Sequence, residues 1–133
     1  MKESGLDAKV KALIAGKGGW AVKYWGGGNY TKSGIPDILA CLDGWFFGVE
    51  DKAKNGRPSA LQLVTLGKIR DAGGFGILLY EGDFPNFGRF LAEGSGEEGG
   101  VFEGIITHWQ RDWYNGNVSL QRDWMARLCG DGC

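Results

Sequence analysis

DILACLDGWFFGVEDK, residues 37–52, is the stretch that decides how this chain is read. Asp43-Gly44 stands between two runs rich in Ile, Leu, Val and Phe. A type I′ hairpin turn needs positive φ at both central residues and favours this dipeptide. With Asp43 and Gly44 as a two-residue loop, Leu42 lies opposite Trp45, and counting outward places Asp37 opposite Glu50. Directly opposed residues have Cβ atoms roughly 5 Å apart, and like charges there are destabilising, so the pairing calls for a compensating cation. Lys52, two residues beyond Glu50, shares its face, while Gly48 on the other side is expected to leave that face open. An Asp, a Glu and a Lys so arranged form a candidate divalent-metal site with an adjacent cation.

The flanking sequence supplies a sheet for this hairpin. Leu6, Val10, Leu13 and Ile14 recur at helical spacing, so residues 2–15 are predicted to form an amphipathic helix, ended by Gly16 and Gly18-Gly19. Trp20 to Trp25 is a strand-like run, and Gly26 to Ser33 a Gly-rich polar loop leading to Gly34-Ile35-Pro36. Ser59 opens a second helix running to about Ala72 and stopped by Gly73-Gly74, after which Phe75 to Tyr80 reads as a buried strand. The order is αβββαβ, an α/β chain with a mixed sheet flanked by helices and a right-handed crossover into the last strand. Beyond Glu81, Phe84 to Glu93 is expected as a short helix and Gly94 to Gly100 as an acidic, Gly-rich loop. Trp109 with Trp113, and Leu120 with Trp124 and Leu128, have i, i+4 spacing and predict a C-terminal helix with an aromatic face, a packing surface or subunit interface.

At 133 residues the chain is sized for one domain, 1–133, with a core over about 1–81 and an extension over about 82–133. The net charge of −1 argues against a simple DNA-coating protein. The distribution is uneven: residues 1–58 carry nine Lys or Arg against six acids, and residues 59–133 carry six against ten. The basic half holds the hairpin. Cys41, Cys129 and Cys133, with His108 the sole histidine, make neither a disulfide framework nor a good zinc set. Cys41 is expected to pack as a small buried hydrophobe. With no membrane-length apolar run and no signal-peptide pattern at the N-terminus, a reducing cytoplasm is the expected compartment.

A phosphodiester is a negatively charged electrophile, so its hydrolysis needs a cation on the phosphoryl oxygen, an activated water and stabilisation of the leaving oxyanion. Carboxylates at Asp37 and Glu50 suit Mg²⁺, which keeps positions for water and phosphate. Lys52 could orient or deprotonate the water, or stabilise developing charge. Glu-x-Lys alone arises by chance in roughly every second chain of this size. The registration of Asp37 against Glu50, together with Gln62, adds weight. Gln62, Leu66, Ile69 and Gly73 share a helical face, which points Gln62 toward the sheet. Ser59-x-x-Gln62 also fits a capping box, and the two roles are compatible.

Ser33-Gly34-Ile35-Pro36-Asp37, then Glu50-Asp51-Lys52, Gln62 at a helix start and Gly73-Gly74 after it, resemble the PD-(D/E)XK nuclease superfamily. Within it the chain is similar to the VRR-NUC family in its small, stand-alone bacteriophage form, over about residues 1–81. The resemblance implies a restriction-endonuclease-like αβββαβ core, metal-dependent DNA cleavage, and homodimers similar to Holliday junction resolvases. It also implies that Asp37, Glu50 and the Asp51 backbone carbonyl are metal ligands, Lys52 the catalytic lysine, Gln62 the helix-borne polar residue and Glu3 the acid of the first helix. A phage protein of this kind would act in the cytoplasm of the bacterial host. Asp51 departs from the usual apolar residue of such motifs. A carboxylate buried there is costly without a partner, so either the strand end is solvated or Asp51 pairs with a cation.

Lys54 and Arg57 after the second hairpin strand, and Lys23 and Lys32 beside the Gly-rich loop, are candidate contacts to the DNA backbone. The expectation is therefore a Mg²⁺- or Mn²⁺-dependent endonuclease, homodimeric and acting on branched or duplex DNA, with no membrane partner. The alternatives are a non-catalytic DNA-binding or assembly module on the same fold, and a nicking or flap nuclease.

Overall fold

The computed structural model describes residues 3–25, 33–95 and 101–130. Lys32 and most of the two Gly-rich loops lie outside them. Helix α1 (Glu3–Gly16) is followed by strands β1 (Trp20–Lys23), β2 (Ile38–Leu42) and β3 (Trp45–Lys52). Helix α2 (Ala60–Asp71) then leads to β4 (Phe75–Tyr80). The expected αβββαβ order is the observed one. A 3₁₀ turn (Glu81–Asp83), α3 (Phe84–Ser95) and α4 (His108–Cys129) complete the chain. The four strands form one mixed sheet in the order β1-β2-β3-β4, antiparallel except for the parallel pair β3 and β4. Among the described residues no helix is long and apolar enough to cross a membrane.

The hairpin turn has the geometry its dipeptide demands, with φ of 52° at Asp43 and 85° at Gly44. Leu42 pairs with Trp45, and the ladder continues without a bulge to Ile38 against Val49. One face of the sheet carries Ile38, Ala40, Leu42, Phe47, Val49, Ile77 and Leu79 into the main core, closed by Leu6, Val10 and Ile14 of α1 and by Phe87, Phe90 and Leu91 of α3. The other face supports α2. There Gly48 and Gly76 are paired neighbours on β3 and β4. A Cβ on Gly76 would stand 2.3 Å from the Leu66 carbonyl oxygen, and one on Gly48 2.4 Å from Ile69 Cδ1. These two glycines let α2 lie directly on the strands. The face beside Glu50 is therefore not open at Gly48 as expected, because Ile69 and Pro36 fill the space.

The C-terminal region is part of the fold. Helix α4 is 22 residues long, capped by a Thr107–Gln110 capping box, and buries a polar stripe of Gln110, Tyr114, Asn117 and Gln121. The reason is the free edge of β4. Asn117 accepts from the Leu78 N–H at 3.1 Å and donates to the Leu78 carbonyl at 2.8 Å. Tyr114 Oη accepts from the Gly76 N–H at 3.2 Å, and Gln121 donates to the Gly76 carbonyl at 2.9 Å. Side chains thus occupy the hydrogen-bonding positions a fifth strand would take, which blocks edge-to-edge pairing. Trp109 and Trp113 of the same helix stack on each other with centroids 6.2 Å apart, and Trp113 packs on Phe90. The predicted aromatic face is turned largely inward. Cys41, in contrast, is exposed on the sheet surface and not buried as expected.

Asn117→Ala would leave a buried N–H and a buried carbonyl of β4 without partners. It is expected to lower unfolding free energy by about 2–5 kcal/mol, measured as a drop in the urea midpoint.

Candidate active site

The register that brings Ile38 opposite Val49 makes Asp37 and Glu50 the next pair, just where β2 begins. The two residues are in direct contact, the Asp37 N–H donating to Glu50 Oε2 at 3.3 Å. Asp37 Oδ2 accepts from the Asp51 N–H at 3.0 Å, which ties its carboxylate to the β3 backbone. Lys52 Nζ lies 4.0 Å from Glu50 Oε1, with its side chain 12% exposed. The carboxylate and ammonium therefore sit together on the α2 face at the end of β3.

Glu50 is almost completely buried. Burial, then the negative charge of Asp37, push its carboxyl up to about 8, and the attraction of Lys52 only partly opposes this. The donor chemistry fits a hard divalent cation. Two carboxyl groups converge there, and the charge of Asp37 disfavours ionisation of Glu50, a penalty that a cation between them would remove. Among the described residues no group of three or more His, Cys, Asp or Glu side chains is arranged around a common ion. Asp37 and Glu50 alone would leave Mg²⁺ positions for water and for substrate phosphate oxygens.

A second group of charges lies on the opposite face. Alternation along β3 turns Asp51 away from Glu50 and Lys52 toward α1, where it is completely buried beside Asp7. Among the described residues no N–H or hydroxyl group donates to either Asp51 oxygen or to Asp7 Oδ1, and the Asp51 and Asp7 carboxyl groups face each other within hydrogen-bonding reach. Neither expected resolution, a solvated strand end or a paired cation, applies to Asp51. Burial, then the hydrogen bond and charge of Asp7, then the Asp37 and Glu50 carboxylates push it up to about 10, which favours its protonated form. Lys23 Nζ bridges Asp7 and Asp37, 3.3 Å from Asp37 Oδ1. Burial alone would lower its pKa, but the two carboxylates outweigh that and raise it. Lys23 was expected at the DNA backbone. Instead its side chain is 17% exposed and its charge is engaged by these two acids.

Gln62 completes the capping box, accepting from the Ser59 N–H at 2.8 Å while its own N–H donates to Ser59 Oγ. Glu3 opens α1, and its side chain is outside the described residues. Asp7, one turn further along the same helix, is the acid the structure brings to the cluster. Its signal was in the periodicity: Asp7, Val10 and Ile14 follow i, i+3, i+7, a carboxylate on the apolar stripe. Lys54 and Arg57 are exposed on the loop that follows Lys52.

No known family profile matches this chain, and no curated protein does. Among solved structures, one described as a VRR_NUC domain is similar at 26% identity with a TM-score of 0.46, covering 60% of this chain and 84% of that one.

The raised carboxyls carry a pH signature. Between the ordinary Glu value of 4.5 and about 8, the folded chain retains on Glu50 a proton that the unfolded chain releases. This contribution to stability is complete below the lower value and is lost as pH rises to the upper one. Asp51 acts in the same direction up to about 10. Thermal melts in EDTA should show Tm falling from about pH 5 to about pH 8. Glu50→Gln should flatten that slope and raise Tm at about pH 8 by several degrees, on the order of 1 kcal/mol or more.

Proposed function

We propose that this chain is a divalent-metal-dependent endonuclease domain that hydrolyses DNA phosphodiester bonds at the Asp37, Glu50 and Lys52 cluster. The observation that carries this is the convergence of the Asp37 and Glu50 side chains at the end of a buried ladder, where the Asp37 N–H also holds Glu50 and an ammonium lies 4.0 Å from it. A protein that merely bound DNA would gain nothing from placing opposed acids where phosphate must approach. Asp37 and Glu50 would hold the ion, with the Asp51 carbonyl as the third protein donor. A bound Mg²⁺ or Mn²⁺ supplies Lewis acidity toward the phosphoryl oxygen.

The rest is done by the chain itself. Hydrogen bonds from the Asp51 N–H and Lys23 fix the Asp37 carboxylate before substrate arrives, so little reorganisation is needed. Lys52, held beside Glu50, offers its ammonium to the negative charge that grows on the phosphoryl oxygens. Gln62 acts through the capping box, fixing the start of α2 next to the site. Lys54 and Arg57 supply sequence-independent phosphate contacts. Lys23 becomes a positioning residue. The assignment to the VRR-NUC type of PD-(D/E)XK nuclease, in its phage form, belongs to the same proposal.

Paired incisions across a DNA junction need two sites related by symmetry, and a homodimer provides them. The dimer surface that fits is the exposed row Trp20, Cys41 and Phe46, which the strand pairing sets side by side across β1, β2 and β3. Phe46→Glu is expected to shift sedimentation at micromolar concentration from dimer to monomer. A wild type that sediments as a monomer overturns this part.

Cleavage assays on junction, flap, duplex and single-stranded DNA test the activity. Lys52→Ala and Asp37→Ala are expected to lower the rate at least about 100-fold while leaving the circular dichroism unchanged, and EDTA should abolish cleavage. Calorimetry should show Mg²⁺ or Mn²⁺ binding that Asp37→Ala removes. DNA affinity that survives Asp37→Ala, with no metal binding by the wild type, would instead favour the non-catalytic module.

A further inference from the structure

An open cavity of about 560 Å³ lies at the end of β4, next to the cluster but not part of it. Lys54, Asn55, Gly56 and Arg57 form one wall, and Tyr80, Leu120, Trp124 and Arg127 the other. The loop wall is shared with the proposed active site. A Cβ on Gly56 would stand 3.3 Å from Lys52 Cδ, so the loop packs on the stem of that lysine. Tyr80, the β4 partner of Lys52, donates its hydroxyl hydrogen to the Gly56 carbonyl at 2.7 Å. Whatever enters the cavity therefore lies one loop away from Lys52.

The lining has two chemistries. Lys54, Arg57 and Arg127 are exposed, and among the described residues none of them forms a salt bridge. Three uncompensated cations round one cavity in a chain of net charge −1 mark an anion site. Trp124 adds a flat surface, with the Arg127 guanidinium 5.0 Å from its ring centroid. Leu120 and Met125 pack with Trp124 against Leu63, Leu66 and Leu78, which holds the indole in place. Cations that grip phosphate beside an aromatic and guanidinium surface that stacks on a base are the two components of single-strand binding. A duplex keeps its bases stacked inside and can use only the first component. The volume lies within the range of pockets that enclose small organic groups.

We infer that this cavity binds an unpaired nucleotide of the DNA strand next to the scissile bond, its phosphate on Lys54, Arg57 and Arg127 and its base against Trp124. The inference deepens the nuclease reading and rests on it for the identity of the ligand: it makes a single-stranded tail or flap, not the duplex alone, the feature selected. Helix α4 then has a second role besides covering the sheet edge, since it contributes the base-facing wall.

The test is the ratio of affinities for a duplex with a single-stranded thymidine tail and for the blunt duplex. Both are measured by fluorescence anisotropy in EDTA, so that no cleavage intervenes. The wild type is expected to prefer the tailed duplex by roughly tenfold, and Arg127→Ala and Trp124→Leu should each bring the ratio close to one. The indole emission of the wild type should be quenched on binding the tail, with that change lost in Trp124→Leu. Arg127 is exposed, so its variant keeps the readout valid if Trp124→Leu is poorly folded. A wild-type ratio near one, or a ratio unchanged in Arg127→Ala, overturns the inference. Metal-dependent cleavage by the wild type is scored separately. Cleavage without tail preference refutes the cavity alone, and a tail preference lost in Arg127→Ala, without any cleavage, refutes the nuclease reading alone.

Discussion

Burial of charge at the end of β3 is the constraint on which the rest of the structure depends. The strand is covered on both faces, by α1 and α3 on one and by α2 on the other, yet it ends in Glu50, Asp51 and Lys52. Alternation sends Glu50 and Lys52 to one side and Asp51 to the other, so both layers must accommodate a carboxyl group. On the α2 side the offset comes from Lys52 and, on the proposed reading, from a metal ion. On the α1 side it comes from Lys23, which bridges Asp7 and Asp37, and from the raised pKa of Asp51, which favours its neutral form. The fold thus gathers four acids and two lysines on the two faces of one strand end, an arrangement that burial alone would disfavour. Polar groups held at such a cost within a core are the physical criterion for a candidate site.

Two glycines and a polar helix stripe supply the framework for that cluster. Gly48 and Gly76 bring α2 down onto the strands, and the capping box of Ser59 and Gln62 sets where that helix starts, beside the loop that follows Lys52. On the far side, α4 places Tyr114, Asn117 and Gln121 against the unpaired backbone of β4. A sheet with a parallel pair at its edge would otherwise expose a row of hydrogen-bonding groups to other chains. Since β4 is the neighbour of β3 through the length of Glu50 and Lys52, fixing that edge also fixes the site. The same helix carries Trp124 and Arg127 to the end of β4, where they face the basic loop.

Much of the fold was legible because its signals are local. The Asp43-Gly44 turn sets a register that the ladder carries outward without interruption, and glycine pairs end both α1 and α2 close to where they were expected. The Asp37 and Glu50 contact follows from that count. Other features were hidden because they depend on partners distant in sequence. Asp7 reads as an acid on an apolar stripe, and only the packing of α1 over β3 gives it Asp51 and Lys23. Lys23 resembles any surface cation beside a Gly-rich loop until β1 aligns it with Asp37. Cys41 sits in an apolar run, but none of the described helices covers its part of the sheet face. The stripe of Gln110, Asn117 and Gln121 looks like a solvated helix face, since its partners are backbone groups that carry no sequence signal.

By itself, the sequence determined the hairpin, its register and the αβββαβ order, for turn chemistry and side-chain periodicity act over a few residues and need no partner. Only the tertiary structure decided which carboxyl groups are buried together, which lysine bridges Asp7 and Asp37 and which lies beside Glu50, and that α4 closes the sheet. Those outcomes depend on desolvation and on distances between elements. Both arise when the layers meet, and neither is present in any single segment of the chain.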